Sequence, residues 1–179
     1  RSGKYLAAPA VDGGRLYAMV RYASTYWAVC LDQRTGATIW ETGIGPITAT
    51  AQEATSWQVA YTTELLTERG TSPVVSGGCV YLTTNAGLVV ALDASSGQVV
   101  FGYQYDSQVS GKATDEVARP LEDRAYLLVA SRRPVRPANP LIVTGGRVIC
   151  LPADSDAVFA LCASDGSLLW QQDRQEQDD

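Results

Sequence analysis

The sequence predicts an all-β chain built from repeats, and three observations support this fold class. First, 16 Gly, 9 Tyr and 4 Trp beside a single Met favour short strands and tight turns over packed helices. Second, apolar residues alternate in short runs that end at glycine. Third, one phrase of sequence occurs three times in the same order. With 46% hydrophobic and 18% charged residues over 179 positions, the chain has the composition of about one folded domain.

The composition excludes several kinds of site. Because the chain contains no histidine, it lacks the usual base for a Ser or Cys nucleophile and the usual haem ligand. Cys30, Cys79, Cys150 and Cys162 are scattered and show no metal-binding spacing. We expect these cysteines to be small buried apolar residues, with disulfides as the alternative.

Charge and hydropathy make two kinds of interaction unexpected, namely nucleic-acid binding and a membrane span. The 14 Lys+Arg and 19 Asp+Glu give a net charge of −5, part of which lies in an acidic tail at 173–179. Since no extended basic face is present, we expect no nucleic-acid partner. No apolar run approaches about 18 residues, so the sequence predicts no membrane span.

The repeated phrase has two halves, one around a Gly-Gly pair and one ending in a large apolar residue. It reads Pro-x-Val-x-x-Gly-x-Val-Tyr, then Ala-Leu-Asp-x-x-x-Gly-x-x-x-Trp, with substitutions in each copy. The copies occupy residues 8–17 with 28–40, 72–81 with 90–101, and 139–149 with 159–170.

Each copy predicts four short antiparallel strands. The Gly-Gly pair suits a two-residue hairpin turn with positive φ, which glycine adopts at no steric cost. After the third strand, the Asp side chain can accept bonds from backbone N–H groups two and three residues later, and the following Gly takes the left-handed position. The signature positions are Asp32, Gly36 and Trp40, Asp93, Gly97 and Phe101, and Gly166 and Trp170.

A single four-stranded sheet leaves two apolar faces exposed, so such sheets stack face to face. Radial stacking produces a β-propeller, in which each sheet is one blade. Trp40, Phe101 and Trp170 close the outer strands, and we expect each ring to lie across a neighbouring blade. The predicted organisation is blade 5–43, insertion 44–71, blade 72–105, insertion 106–138, blade 139–172 and tail 173–179.

The repeated phrase resembles the repeat of quinoprotein-like β-propellers, with its best match at 73–101. In the third copy Cys162 replaces the Asp and Asp165 precedes the glycine, so we expect that turn to be held differently. The resemblance implies an exported, periplasmic or cell-surface protein. The family includes pyrroloquinoline-quinone dehydrogenases, barrel-assembly lipoproteins and sensor domains of membrane kinases.

The resemblance leaves three functional hypotheses. The first is a non-catalytic scaffold that binds a protein or glycan, with no cofactor expected. The second is a fragment of a quinone-dependent alcohol or sugar dehydrogenase, which would require pyrroloquinoline quinone, calcium and an adjacent Cys-Cys pair that this sequence lacks. The third is an extracytoplasmic sensor domain.

Three blades are too few for a closed ring, since propellers have about 4–8. We expect the remaining blades to come from a longer parent chain or from another copy. The start at Arg1 without Met favours a fragment. The oligomeric state would separate these alternatives.

The two insertions are the candidate binding surface, because long loops on a rigid scaffold commonly carry binding functions. Trp57 and Tyr61 fall on one face of a predicted strand and suit stacking on a sugar or peptide, with packing against a blade as the alternative. Arg132, Arg133 and Arg136 belong to a basic stretch that could bind carboxylate or phosphate, with a solvated loop as the alternative.

Overall fold

A computed structural model describes residues 3–23, 25–46, 70–84, 87–107 and 139–173. These residues form thirteen strands, arranged in three antiparallel sheets. The described part of the chain contains no helix, and hence none that could cross a membrane. The structure therefore confirms the all-β class and the stacked antiparallel sheets that the repeats predict.

The first sheet contains five strands rather than four. Its central and outer strands pair in the order β3, β4, β5, while β1 and β2 both pair with the free edge of β3. The inner strand is thus interrupted between Tyr5 and Ala10, where Pro9 has no N–H to donate to the sheet. The strands are β1 Lys4–Tyr5, β2 Ala10–Asp12, β3 Arg15–Tyr22, β4 Thr25–Asp32 and β5 Thr38–Pro46.

The second and third sheets each have four strands in sequential order. A register shift interrupts the pairing of the last two strands of each sheet, after Ala91 and after Ala160. The strands are β6 Val74–Ser76, β7 Cys79–Thr83, β8 Leu88–Asp93 and β9 Val99–Gln104, followed by β10 Ile142–Thr144, β11 Arg147–Cys150, β12 Ala157–Cys162 and β13 Leu168–Asp173.

The Gly-Gly pairs form the predicted hairpin turns. In the second sheet Gly77 and Gly78 have φ of 59° and 78°, and the equivalent pairs of the other sheets are also left-handed. Both central residues of a type I′ turn need positive φ, and this turn matches the twist of the strands that it joins. The pair therefore fixes the register of the first two strands in each sheet.

The cores lie between consecutive sheets. Alternate residues of β7 point to opposite sides: Val80 and Leu82 pack with the first sheet, and Tyr81 packs with the third. Met19 and Phe159 are fully buried in the two cores. Because burying one such side chain contributes about 1.5–3 kcal/mol, the two shared cores hold the sheets in a stack.

The far side of the first sheet carries a smaller cluster. Ala18, Val20 and Val29 are buried there, with Leu16 packed beside them. Tyr22 closes this cluster and makes an edge contact with the ring of Trp27, with centroids 5.9 Å apart.

The connectivity gives the stack two distinct ends. The turn end carries the three Gly-Gly hairpins and the turns that join the third and fourth strands of each sheet. The insertion end carries the loops between the second and third strands, and the described ranges that precede the two insertions, 25–46 and 87–107, end there. Strand β5 ends at Pro46, inside the range that the sequence assigned to the first insertion.

Candidate functional site

At the turn end, Asp32 organises the last turn of the first sheet. Its Oδ1 accepts hydrogen bonds from the backbone N–H of Arg34 at 3.1 Å and of Thr35 at 2.7 Å, and from the Thr35 hydroxyl at 2.7 Å. These bonds, that of the Thr35 hydroxyl foremost, lower the pKa of Asp32. Gly36 follows with φ of 71°, as the sequence predicts.

Asp93 forms the same turn in the second sheet. Its Oδ1 accepts bonds from the backbone N–H and the hydroxyl of both Ser95 and Ser96, at 2.6–3.0 Å. The two hydroxyl bonds are the main reason that the pKa of Asp93 falls to about 2. The charged carboxylate therefore fixes the shape of the turn.

In the third sheet, a different set of hydrogen bonds holds the equivalent turn. Cys162 stands in the Asp position, and its Sγ lies 3.1 Å from Ser164 Oγ. Asp165 instead accepts from the backbone N–H and the hydroxyl of Ser167, at 2.9 and 2.7 Å. Gly166 keeps the left-handed φ of 73°, so the turn survives the loss of its first carboxylate.

The turn of the second sheet receives the outer-strand ring of the first. A Cβ at Gly97 would lie 2.6 Å from two carbons of the Trp40 ring, so only glycine leaves room for this ring. Trp40 Nε1 donates to Ala94 O at 3.1 Å, and Thr42 Oγ1 donates to Gly97 O at 2.7 Å. Arg15 Nη1 also donates to Ala94 O, at 3.0 Å.

The turn of the third sheet receives the second sheet in the same way. The ring of Phe101 lies so close to Gly166 that a Cβ there would overlap it. Phe101 has no ring N–H, and Tyr81 supplies the hydrogen bond instead, from its hydroxyl to Ala163 O at 3.1 Å. Both described contacts therefore place the aromatic ring of one sheet on the turn glycine of the next.

Neither outer side of the stack has its matching partner among the described residues. Gly36, on the turn of the first sheet, has nothing within 4 Å of the position that a Cβ would take. Trp170, on the outer strand of the third sheet, is 41% exposed, whereas Phe101 is 8% exposed. On the outer side of the first sheet the turn glycine is thus not covered by a ring, and on the outer side of the third sheet the aromatic ring is partly exposed.

At the insertion end, a buried carboxylate ties the second sheet to the third. Asp154 is 3% exposed. Its Oδ1 accepts from the Tyr105 hydroxyl at 2.7 Å, and its Oδ2 accepts from the backbone N–H of Gly87 at 3.0 Å. The Tyr105 hydroxyl also lies 3.4 Å from Thr83 Oγ1. Burial, followed by the charge of Asp154, holds the pKa of Tyr105 well above its usual value.

The first sheet reaches the same region through Tyr26. This phenol is 1% exposed, and burial raises the pKa of Tyr26 to about 12. The Arg21 guanidinium counteracts that rise and the Asp154 carboxylate adds to it. Residues from all three sheets therefore interact at the insertion end, in a set that we call the Asp154 cluster: Arg21, Tyr26, Thr83, Gly87, Tyr105 and Asp154.

The chemistry of the Asp154 cluster suits a structural role, in which its side chains hold backbone segments in place. Its carboxylate is already engaged by a phenol and a backbone N–H, and its two phenols are held protonated at neutral pH. Within the described ranges, no group of three or more His, Cys, Asp or Glu side chains is arranged to hold a metal. Asp154 holds the Gly87 loop of the second sheet and Tyr105, the residue that follows β9.

The candidate binding residues predicted from the sequence fall outside the described residues: Trp57, Tyr61, Arg132, Arg133 and Arg136. They stay a prediction. The eight signature residues of the repeat are all described and lie at the turn end.

Sequence reasoning missed Asp154 and Tyr105. Neither belongs to the repeated phrase, and the loop of Asp154 has no counterpart of the same length in the other two copies. The available signal was a polar residue in a loop between two strongly apolar strands, which is too common a pattern to identify a brace.

Comparison with known proteins places these features in a family. Residues 25–179 match the family model described as Outer membrane protein assembly factor BamB. No curated protein matches the chain.

Three solved structures share the fold at low sequence identity. BamB from Moraxella catarrhalis has a TM-score of 0.58 at 18% identity, over 96% of this chain and 40% of that one. A europium-containing methanol dehydrogenase has a TM-score of 0.59 at 16% identity, over 99% and 27%. The quinohemoprotein alcohol dehydrogenase from Comamonas testosteroni has a TM-score of 0.56 at 19% identity, over 95% and 21%. The chain therefore spans less than half the length of each of these proteins.

Proposed function

Because the chain belongs to the family of the outer membrane protein assembly factor BamB, we propose that it is a non-catalytic propeller scaffold of an exported protein. Its insertion end binds a protein or glycan ligand. The description of the family as an assembly factor supports a protein as the first choice of ligand. The same description supports a location outside the cytoplasm.

The observation that carries this proposal is the Asp154 cluster. Asp154 fixes the Gly87 loop of the second sheet and the residue that follows β9. Gly87 adopts φ of 84°, and a Cβ there would lie 3.1 Å from Tyr105 O, so the loop is closely packed. The second insertion follows Tyr105 directly, and a long loop that follows a rigidly held residue is a common arrangement for binding.

The insertions supply the ligand-binding side chains in this proposal. Trp57 and Tyr61 would stack on a sugar ring or an extended peptide. Arg132, Arg133 and Arg136 would bind carboxylate groups through their planar guanidinium groups. The net charge of the stretch from Arg119 to Arg136 is +3, which favours an acidic ligand.

A dehydrogenase fragment is the alternative, favoured by the likeness to a methanol and an alcohol dehydrogenase. Those proteins are 16% and 19% identical to the chain, so they show the fold alone. The described residues hold no cluster that fits calcium, and no two cysteines of the sequence are adjacent.

Two binding arrays test the proposal. The intact chain would be screened against immobilised glycans and against acidic and neutral peptides taken from β-strands of outer membrane proteins. We expect binding on one array, and we expect the Arg132→Ala, Arg133→Ala, Arg136→Ala triple variant or the Trp57→Ala, Tyr61→Ala double variant to weaken it at least tenfold.

The control changes the opposite end of the stack. Val100→Ala removes an exposed apolar residue of β9, and we expect it to leave ligand binding unchanged. Absence of binding on both arrays would overturn the scaffold proposal. Dye-linked alcohol oxidation by the chain after addition of pyrroloquinoline quinone and calcium would favour the dehydrogenase instead.

A further inference from the structure

The four cysteines fall into two groups by burial. Cys30 and Cys150 are 0% exposed and belong to the two cores between the sheets. Cys79, at the start of β7, and Cys162, at the end of β12, are half-buried, and all four thiols are free. Cys79 and Cys162 are therefore the two thiols that a reagent in solution can reach.

Cys79 and Cys162 each replace a charged residue of the repeat. In each sheet the first residue of the second strand pairs with the last residue of the third strand. Cysteine stands once at the first of these positions, in the second sheet, and once at the other, in the third sheet. The pairs are Arg15 with Asp32, Cys79 with Asp93, and Arg147 with Cys162.

The contact between the first two sheets shows that these two positions lie on opposite sides of an inter-sheet contact. Arg15 Nη1 donates to Ala94 O at 3.0 Å, in the turn that begins at Asp93. In the contact between the second and third sheets, Cys79 takes the place of Arg15 and Cys162 takes the place of Asp93. Both replacements therefore fall on the same contact, one on each side of it.

Tyr81 lies near both of these thiols. It follows Cys79 by two residues on β7, so the two side chains share a face, and both pack in the core between the second and third sheets. The Tyr81 hydroxyl donates to Ala163 O at 3.1 Å, directly after Cys162 in the chain. Burial, then electrostatic interaction and a hydrogen bond with Cys79, and then interaction with Cys162 raise the pKa of Tyr81 to about 12. A single phenol thus interacts with a thiol of each sheet.

The contact between the second and third sheets has no arginine at the position of Arg15. A cysteine side chain cannot supply the hydrogen bonds that the guanidinium of Arg15 makes with the opposite turn. The turn of the third sheet also has no carboxylate at its first position, where Cys162 Sγ lies 3.1 Å from the exposed Ser164 Oγ. A bond between the sulfur atoms of Cys79 and Cys162 would link this turn to β7.

We propose that Cys79 and Cys162 form a reversible disulfide that locks the third sheet to the second. Cys162 Sγ exchanges its contact with Ser164 for a covalent bond to Cys79 Sγ. The oxidant is a small disulfide such as oxidised glutathione. One protein thiolate attacks it to form a mixed disulfide and release one thiol, and the other protein thiolate then displaces the second thiol. The two protein thiols lose two protons and two electrons, and the oxidant becomes two thiols.

The disulfide closes a loop that contains the whole second insertion, 106–138. Cross-linking so long a loop restricts the unfolded chain, so the oxidised chain should be the more stable form. Formation in the cell rests on the exported location in the proposed function, because exported proteins meet oxidising conditions. Formation with added oxidant does not rest on it and involves no side chain of the insertions, so ligand binding and disulfide formation can fail separately.

Oxidation of the intact chain by millimolar oxidised glutathione measures the proposed bond. The chain is then unfolded in N-ethylmaleimide without reductant, and mass spectrometry counts the labelled thiols. Of the four cysteines, we expect four to be labelled in the reduced chain and two in the oxidised chain. A digest of the oxidised chain should contain the Cys79 and Cys162 peptides joined together. Oxidation should also raise the melting temperature by at least about 5 °C.

Single variants assign the bond. Cys79→Ser and Cys162→Ser should each abolish the joined peptides and the difference in melting temperature between the oxidised and reduced chains. Cys150→Ala removes a buried thiol of the same inter-sheet core, and it should leave both observations unchanged. Far-ultraviolet circular dichroism of the reduced variants checks that each one is folded.

Three results would overturn the proposal. The first is a chain that keeps four labelled thiols after oxidation, or one that carries glutathione separately on Cys79 and Cys162. The second is a bond that joins another pair of cysteines or two copies of the chain. The third is a joined Cys79 and Cys162 pair that leaves the melting temperature unchanged or lowers it, because such a bond would not lock the sheets together.

Discussion

The two ends of the stack are held together by different means. At the turn end, contacts repeat: a ring covers a glycine, and donors reach turn carbonyl groups, once between the first two sheets and once between the last two. At the insertion end, the Asp154 cluster occurs once and joins residues that the repeat does not contain. Repeated contacts build the stack, and the unrepeated contacts of the Asp154 cluster distinguish the insertion end from the turn end.

The largest expected effect tests the turn end. Gly97→Ala should lower the free energy of unfolding by about 3 kcal/mol, because it combines left-handed strain with a clash against the Trp40 ring. Gly36→Ala has the same strain and no ring beside it, so we expect a loss of about 1 kcal/mol. Urea unfolding measures the difference between the two variants. Equal losses would contradict the ring contact.

The next effect tests the insertion end. Asp154→Ala leaves the N–H of Gly87 and the hydroxyl of Tyr105 without their acceptor, which should cost about 2–3 kcal/mol. Asp106→Ala removes an exposed carboxylate close to Tyr105 and should cost less than about 0.5 kcal/mol. Thermal unfolding compares the two variants. If they lose equal stability, the cluster is not a brace.

A smaller effect compares the two inter-sheet contacts. Ala94 O accepts from Arg15, Tyr17 and Trp40, at 3.0–3.3 Å. Tyr17→Phe therefore leaves this carbonyl group with two donors and should cost about 0.5 kcal/mol. Tyr81→Phe removes the hydroxyl that donates to Ala163 O, and we expect the free energy of unfolding to fall by about 1–1.5 kcal/mol. Urea unfolding would refute this ranking if Tyr17→Phe were the more destabilising change.

The smallest effect is a pH dependence at the turn end. A carboxyl group whose pKa is lower in the folded chain stabilises the fold above its unfolded pKa and loses that effect as pH falls through the folded value. For Asp93 these values are 3.8 and about 2, so the wild type should lose stability as pH falls from 4 to 2.

Asp93→Asn should lose less stability in that window, because its amide does not titrate. Melting temperatures at pH 5, 4, 3 and 2 provide the measurement, with Asp106→Asn as the control for an exposed carboxylate. Parallel curves for Asp93→Asn and the wild type would show that the turn carboxylate has no such effect.

The sequence predicts the turn end well, for a physical reason. Two adjacent glycines, and an Asp that precedes a Gly by four residues, act through local backbone geometry, so their structure follows from spacing alone. The ring positions follow as well, because a repeated aromatic residue at the end of a strand needs a repeated place to pack. Cys162 in place of the Asp likewise predicts a turn held by other bonds, and the structure shows those bonds at Ser164 and Asp165.

The insertion end could not be predicted in the same way. Asp154 reaches Gly87 across 67 positions of sequence and Tyr105 across 49. Such pairs depend on how the sheets stack, which no single segment specifies. The interruption of the first inner strand was also missed, since Pro9 has equivalents in both other copies and β1 has none.

The most direct measurement is a double-mutant cycle between Trp40 and Gly97. We expect Gly97→Ala to cost about 3 kcal/mol in the wild type and about 1 kcal/mol in a Trp40→Ala chain, a coupling of about 2 kcal/mol through the ring. Losses that add to within about 0.5 kcal/mol would show that the ring and the glycine do not contact each other. That result would contradict the stacking of one sheet on the turn of the next.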